Sequence, residues 1–235
     1  AMTTNGSHLA AMAKPLKDAG LSRINISIDS LKSPRFRQLT RYGDLKRVIG
    51  GIHAAIAAGF EHTKLNSVIL AGVNDDEIND LAGFAIERGL DISFIEEMPL
   101  GHISSHRRID TQITSKQIRQ KLESVWKLLD STETTGGPSR YVRVANTGSR
   151  IGFISPLSNN FCGSCNRVRM TAEGRLLLCL GNEHSLDVRA ILREHPGDIS
   201  LLKNELARAI ENKPERHYFD PAKVDIVRFM NMTGG

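Results

Sequence analysis

"RINISID", residues 23–29, decides how the rest of the chain is read. Ile24, Ile26 and Ile28 fall on one side of an extended strand, with Arg23, Asn25, Ser27 and Asp29 on the other: the period of two expected of a strand with one apolar and one polar face. Downstream, "DLKRVIGGIHAAIAAG" (44–59) has helical periodicity and ends in Gly59 at a C′ position, and "TKLNSVIL" (63–70) reads as the next strand. The same unit then repeats. "NDDEINDLAGFAIERG" (74–89) sets Asn74 and Glu77 at capping-box spacing and closes on Gly89, and "DISFIEEM" (91–98) reads as a third strand. A further helix is predicted over "TSKQIRQKLESVWKLLD" (114–130). Alternating β and α units imply a parallel sheet with right-handed crossovers. An open sheet covered on both faces would be apolar on both, whereas a barrel strand points polar groups into a lumen, so Asn25, Ser27 and Asp29 favour an incomplete (β/α) barrel. An edge strand with one wet face is the competing reading.

The pattern changes after "TTGGPS" (134–139). "RYVRVA", "RIGFIS", "VRMTA" and "RLLLCL" are short, closely spaced strand candidates, with Glu173-Gly174 as a hairpin turn between the last two, and helices are predicted around 187–194 and 198–212. The expected organisation is an α/β partial barrel over 1–135, followed over 136–235 by a mainly antiparallel β and helical extension. Its tail ends in Gly234-Gly235.

Forty per cent hydrophobic and 24% charged residues mark an ordinary globular chain, and no apolar run approaches the roughly 18 residues that a membrane span requires. The opening residues "AMTTNGSHLA" have neither a basic nor a long apolar region, so no secretory signal and a cytoplasmic location are expected. The net charge of +5 permits an anionic partner. Its distribution says more: from Ser139 to Arg193 there are eight arginines, no lysine and three acidic residues, and the planar guanidinium fork suits phosphate or carboxylate. With only 5% aromatic residues and no interleaved stacking platform, nucleic acid is not the expected partner.

All three cysteines lie in "NNFCGSCNRVRMTAEGRLLLCLGN" (159–182), as C-x2-C-x13-C. A turn at Glu173-Gly174 folds Cys179 back towards Cys162 and Cys165, with Gly163 and Gly181 relaxing the backbone around them. A structural zinc site wants four protein ligands, and His184 would supply the fourth in a zinc-stabilised nucleotide-binding module. An iron-sulfur cluster with three thiolates would keep one iron open. Spacing alone leaves zinc and cluster as alternatives. Arg167 and Arg169, two apart on a strand, share a face beside this site.

"TTNG", "RINISIDSL", "NDDEI", "FIEEMPLG", "CGSCNRVRMTAEGRLLLCL" and the terminal double glycine resemble the GTP 3′,8-cyclase family of radical S-adenosylmethionine enzymes, which catalyse the first step of molybdenum cofactor biosynthesis. The resemblance runs through nearly the whole chain and implies a barrel of the radical S-adenosylmethionine type. It implies a 4Fe-4S cluster on Cys162, Cys165 and Cys179 whose free iron meets the guanine of GTP. It further implies GTP contacts at Thr3, Lys64, Arg167, Val168 and Arg169, S-adenosylmethionine contacts at Ser27 and Met98, and catalytic assistance from Gly234 and Gly235. The implied chemistry converts GTP to (8S)-3′,8-cyclo-7,8-dihydroguanosine 5′-triphosphate, a radical derived from S-adenosylmethionine taking the ribose 3′ hydrogen. Implied partners are GTP, S-adenosylmethionine, an electron donor, the downstream cyclic pyranopterin monophosphate synthase in a functional sense and a second copy of the chain. The family also carries a second, N-terminal cluster on C-x3-C-x2-C, and no cysteine precedes Cys162 here. The family's N-terminal portion is therefore expected to be missing, and the chain by itself is not expected to cyclise GTP.

Overall fold

The computed structural model describes residues 1–103, 105–217, 219, 226 and 228–233. In chain order, β1 (Met2–Thr4), α1 (Leu9–Asp18), β2 (Ile24–Ser27), α2 (Ser33–Thr40), α3 (Leu45–Ala57), β3 (Lys64–Ile69), α4 (Ile78–Ile86) and β4 (Asp91–Glu96) alternate sheet with helix. Then come α5 (Arg108–Thr111), α6 (Ser115–Glu123), β5 (Leu128–Asp130), β6 (Arg140–Val144) and β7 (Arg150–Ile154). These strands form one sheet in the order β1-β2-β3-β4-β7-β6-β5. β1 to β4 and β7 run parallel, while β6 and β5 are antiparallel additions.

The alternation in 23–29 is realised as expected. Ile24, Ile26 and Ile28 are fully buried, while Asn25 and Ser27 on the opposite face are half-buried. Leu65 and Ile69 of β3 and Ile92 and Phe94 of β4 continue the apolar face. Against it pack Leu9 and Ala13 of α1, Val48, Ile52 and Ala55 of α3, Leu81 and Ala85 of α4, and Ile118 and Leu122 of α6, in one core. Each fully buried isoleucine or leucine contributes about 1.5–3 kcal/mol relative to exposure, so this layer fixes which face of the sheet is left for polar groups.

Several local expectations change. Asn74 and Glu77 form no capping box: Asn74 makes no cap bond, and both side chains reach the ends of β2 and β3 from a 3-10 turn at Asp75–Glu77. The helix predicted over 114–130 stops at Glu123, because the following segment pairs with β6, Leu128 opposite Val144. Its N-terminus does carry a capping box, between Thr114 and Gln117. The segments "RYVRVA" and "RIGFIS" do form strands, but β7 pairs with β4 and draws β6 and β5 into this first sheet.

The chain divides into two compact units, Ala1–Glu97 with Asp110–Asn159, and Met98–Ile109 with Asn160–Gly235. The second contains a three-stranded antiparallel sheet ordered β10-β9-β8, from β8 (Arg169–Met170), β9 (Arg175–Leu177) and β10 (Ser185–Asp187). α7 (Val188–Glu194) and α8 (Ile199–Glu211) follow. A smaller core of Leu176, Leu178 and Val188, with Leu202, Leu206 and Ala209 of α8 against it, holds this unit together.

Candidate functional site

In the first unit the candidate residues line up by register. Thr3 stands opposite Asn25, Asn25 opposite Lys64, and Lys64 opposite Asp91, so one polar row crosses four strands. Thr3 is thus part of β1. The next row runs from Ser27 through Asn66 and Ser93 to Gly152 and Tyr141. Thr3, Lys64 and Ser27 therefore share the polar face.

Three contacts order that face. The Lys64 ammonium lies 3.4 Å from the Tyr141 hydroxyl, which also meets Thr135 at 3.3 Å. Burial pushes the Tyr141 phenol up, but the Thr135 hydrogen bond and the positive Lys64 outweigh it, and its pKa falls below the ordinary value. Asp91 accepts from the backbone N–H and the guanidinium of Arg150, whose pKa is raised chiefly by that bond. The Arg150 guanidinium in turn sits 5.0 Å from the Tyr141 ring centre. Asn66 Oδ1 is buried on this face with no hydrogen-bond partner.

Beyond the carboxyl ends of β2 and β3, one turn does the fastening. The fully buried Asn74 donates to the carbonyls of Asp29 (2.8 Å) and Val68 (2.9 Å) and accepts from the Leu70 N–H (2.8 Å). Glu77, also fully buried, accepts from Ser30 Oγ, the Leu31 N–H and the Arg35 guanidinium. Asp29 accepts from the Val68 N–H at 2.8 Å, and burial pushes its pKa up to about 6. These residues were not picked out as functional from sequence; polar side chains in "SIDS" and "NDDEI" beside apolar runs were the available signal.

In the second unit the expected hairpin forms. Gly174 turns at φ +81°, and β8 pairs with β9 through Arg169 opposite Leu177. From Cys165 to Met170 burial alternates: Cys165, Arg167 and Arg169 are half-buried, while Asn166, Val168 and Met170 are exposed. The two arginines thus share the cysteine's side of the segment. Val168 is 41% exposed on the other, which leaves its main chain as the part able to face a ligand there. Burial lowers the Arg169 pKa and the Arg167 charge lowers it further, with Cys165 opposing. Arg167 also lies 5.2 Å over the Phe161 ring. Among the described residues neither arginine has a carboxylate partner. Two half-buried guanidiniums that repel one another, without a carboxylate among the described residues, are suited in chemistry to an anion.

Cys162, Cys165 and Cys179 are half-buried free thiols. The Gly181 N–H donates to Cys179 Sγ at 3.3 Å. Gly181 is required by close approach rather than by its φ, since a Cβ there would come 2.3 Å from that of His217. Among the described residues no three His, Cys, Asp or Glu side chains already stand as a metal-holding group. In kind and number the thiols fit a cluster with three protein ligands. His184, the fourth ligand of the zinc reading, is exposed. Met98 is half-buried two residues after β4, and Gly234 and Gly235 lie outside the described residues. Among the described residues no helix is long and apolar enough to cross a membrane.

A parallel-rich α/β sheet with a cysteine-bearing antiparallel unit defines a class, and the comparisons agree with it. Residues 1–85 match the Radical SAM superfamily and residues 90–219 the family described as Molybdenum Cofactor Synthesis C. The chain is 59% identical over 236 residues to the GTP 3′,8-cyclase of Pseudomonas fluorescens, 60% over 236 to that of Pseudomonas syringae pv. syringae and 56% over 235 to that of Saccharophagus degradans. In each case all of this chain and 71% of the relative are covered. The chain belongs to the GTP 3′,8-cyclase family of radical S-adenosylmethionine enzymes.

Proposed function

We propose that the chain binds GTP and a 4Fe-4S cluster for the GTP 3′,8-cyclase reaction, the first step of molybdenum cofactor biosynthesis. The observation that carries this reading is the pair Arg167 and Arg169, half-buried, mutually repelling and without a described carboxylate, on the same side as Cys165. Their guanidiniums take the phosphates of GTP, and Cys162, Cys165 and Cys179 hold the cluster. Bound there, the cluster supplies an iron position open to the guanine. In the first unit, Lys64, a cation, and Thr3, a hydroxyl, are the proposed GTP contacts on the polar face of the sheet. Ser27 and Met98 serve S-adenosylmethionine, and Gly234 and Gly235 assist the reaction. The polar face of the sheet, with helices packed on the other, supports a barrel with a polar lumen over 1–135, and the cluster and GTP portion is proposed over 136–235, its first strands, β6 and β7, being shared with the first sheet. An electron donor, a homodimer and a cytoplasmic location complete the reading.

The test is anaerobic reconstitution with iron and sulfide, followed by equilibrium binding of GTP. Iron and sulfide uptake is expected, and Arg169→Ala should weaken GTP binding roughly 10- to 100-fold, as loss of a charge-assisted hydrogen bond would. A colourless protein holding one zinc, with GTP affinity indifferent to Arg169, would overturn the proposal.

A further inference from the structure

β8 and β9 pair only at Arg169 opposite Leu177 and Met170 opposite Leu176, so the ladder ends just before the hairpin reaches its cysteines. Past that point the two chain segments need another tie. One long side chain provides it. The Lys213 ammonium donates to the carbonyl of Arg167 at 2.8 Å and to that of Leu178 at 2.6 Å. Arg167 lies two residues after Cys165, and Leu178 immediately before Cys179. The clamp therefore closes the open end of the hairpin where the thiols lie, a job that no backbone bond among the described residues performs there.

Lys213 is itself well held. It is half-buried, and its N–H donates to the Ile210 carbonyl at the end of α8. That helix packs Leu202, Leu206 and Ala209 against Leu176, Leu178 and Val188, so the ammonium is carried by the same core that carries the segment leading to Cys179. Among the described residues it has no carboxylate partner, and two of its three donors are spent on these carbonyls. A solvated surface lysine would make neither bond; both ordering the side chain and drying the charge cost free energy, which charge-assisted bonds to two carbonyls offset.

We propose that Lys213 is a positioning residue for the three-cysteine site, setting the separation of Cys179 from Cys165 and from the guanidiniums of Arg167 and Arg169. This rests on the reading of the thiols as cluster ligands. Lysine reaches both carbonyls; methionine fills the same space and reaches neither; arginine keeps charge and donors.

The experiment compares the full chain with Lys213→Met and Lys213→Arg after anaerobic reconstitution, recording iron and sulfide per chain, the electron paramagnetic resonance of the reduced cluster and GTP affinity. Circular dichroism confirms that each variant is folded. Lys213→Met is expected to hold less than half the wild-type iron, or to show an altered spectrum with GTP binding weakened about tenfold; Lys213→Arg should restore most of both. Wild-type iron, spectrum and affinity in Lys213→Met would refute the clamp. If the wild-type chain takes up no iron, the cluster reading fails on its own, and the clamp is judged by the rate at which dibromobimane bridges Cys165 and Cys179 in metal-free protein. A severalfold slower rate in Lys213→Met supports it, and an equal rate sinks it. Should Lys213→Met not fold, the same comparison is made with Lys213→Gln, whose amide reaches one carbonyl.

Discussion

Replacing Asp29 by asparagine should make the first unit more stable at neutral pH and remove the loss of stability that Asp29 causes as pH rises from about 4 to about 6. Among the described residues the Asp29 carboxylate accepts one hydrogen bond, from the Val68 N–H at 2.8 Å, and burial raises its pKa from 3.8 to about 6. Between those values the folded chain keeps a proton that the unfolded chain releases. Stability is therefore lost as pH rises through about 6 and is flat above it. The rise from 3.8 to about 6 corresponds to about 3 kcal/mol of ionisation cost at pH 7 and about 0.6 kcal/mol at pH 4. Asparagine keeps the acceptor for Val68 and has no charge to bury. Urea unfolding followed by Trp126 is the assay, because the single tryptophan packs against this unit's core. Asp29→Asn should gain about 2–3 kcal/mol at pH 7, shrinking to under about 1 kcal/mol at pH 4. A variant no more stable at pH 7, or one whose advantage persists unchanged at pH 4, would refute the reasoning.

Other outcomes follow from neighbouring geometry. Asn74→Ala strands the Asp29 and Val68 carbonyls and the Leu70 N–H, and should cost about 3 kcal/mol or more in the same urea assay; Asn74→Asp should be no milder, since it removes the Nδ2 donor. Gly152→Ala would place a Cβ 2.1 Å from Ser139 Oγ and 2.6 Å from Ser93 Oγ, so a loss of about 1–3 kcal/mol is expected by the same measurement. Glu77→Gln, which leaves Arg35 without its buried carboxylate, should destabilise by about 2 kcal/mol or more, with a smaller loss in the double variant Arg35→Met/Glu77→Gln.

What could be read from the residues was what local repetition encodes. Ile24, Ile26 and Ile28 announce β2 because apolar side chains at every second position share a face in an extended strand and scatter around a helix, and Glu173-Gly174 announces the hairpin because a left-handed glycine is what such a turn needs. Tertiary competition was not readable. "SVWKLLD" has helical periodicity, yet Leu128 to Asp130 gain more from pairing with β6. Asn74 and Glu77 have the spacing of a cap, but unpaired ends of two parallel strands claim them first. At the site, C-x2-C was legible from its spacing, and the alternating arginines because a period of two puts them on the side of Cys165. Lys213 was not, since a lone lysine after a helix looks the same whether it meets solvent or two carbonyls.

The two arginines have a thermodynamic consequence. Burial and the neighbouring Arg167 charge both disfavour the charged form of Arg169. If GTP binds at this pair as proposed, it acts as a counterion of the hairpin as well as a substrate, and occupancy is measurable as resistance to unfolding. At a hundredfold excess over Kd the linkage amounts to about 2.7 kcal/mol.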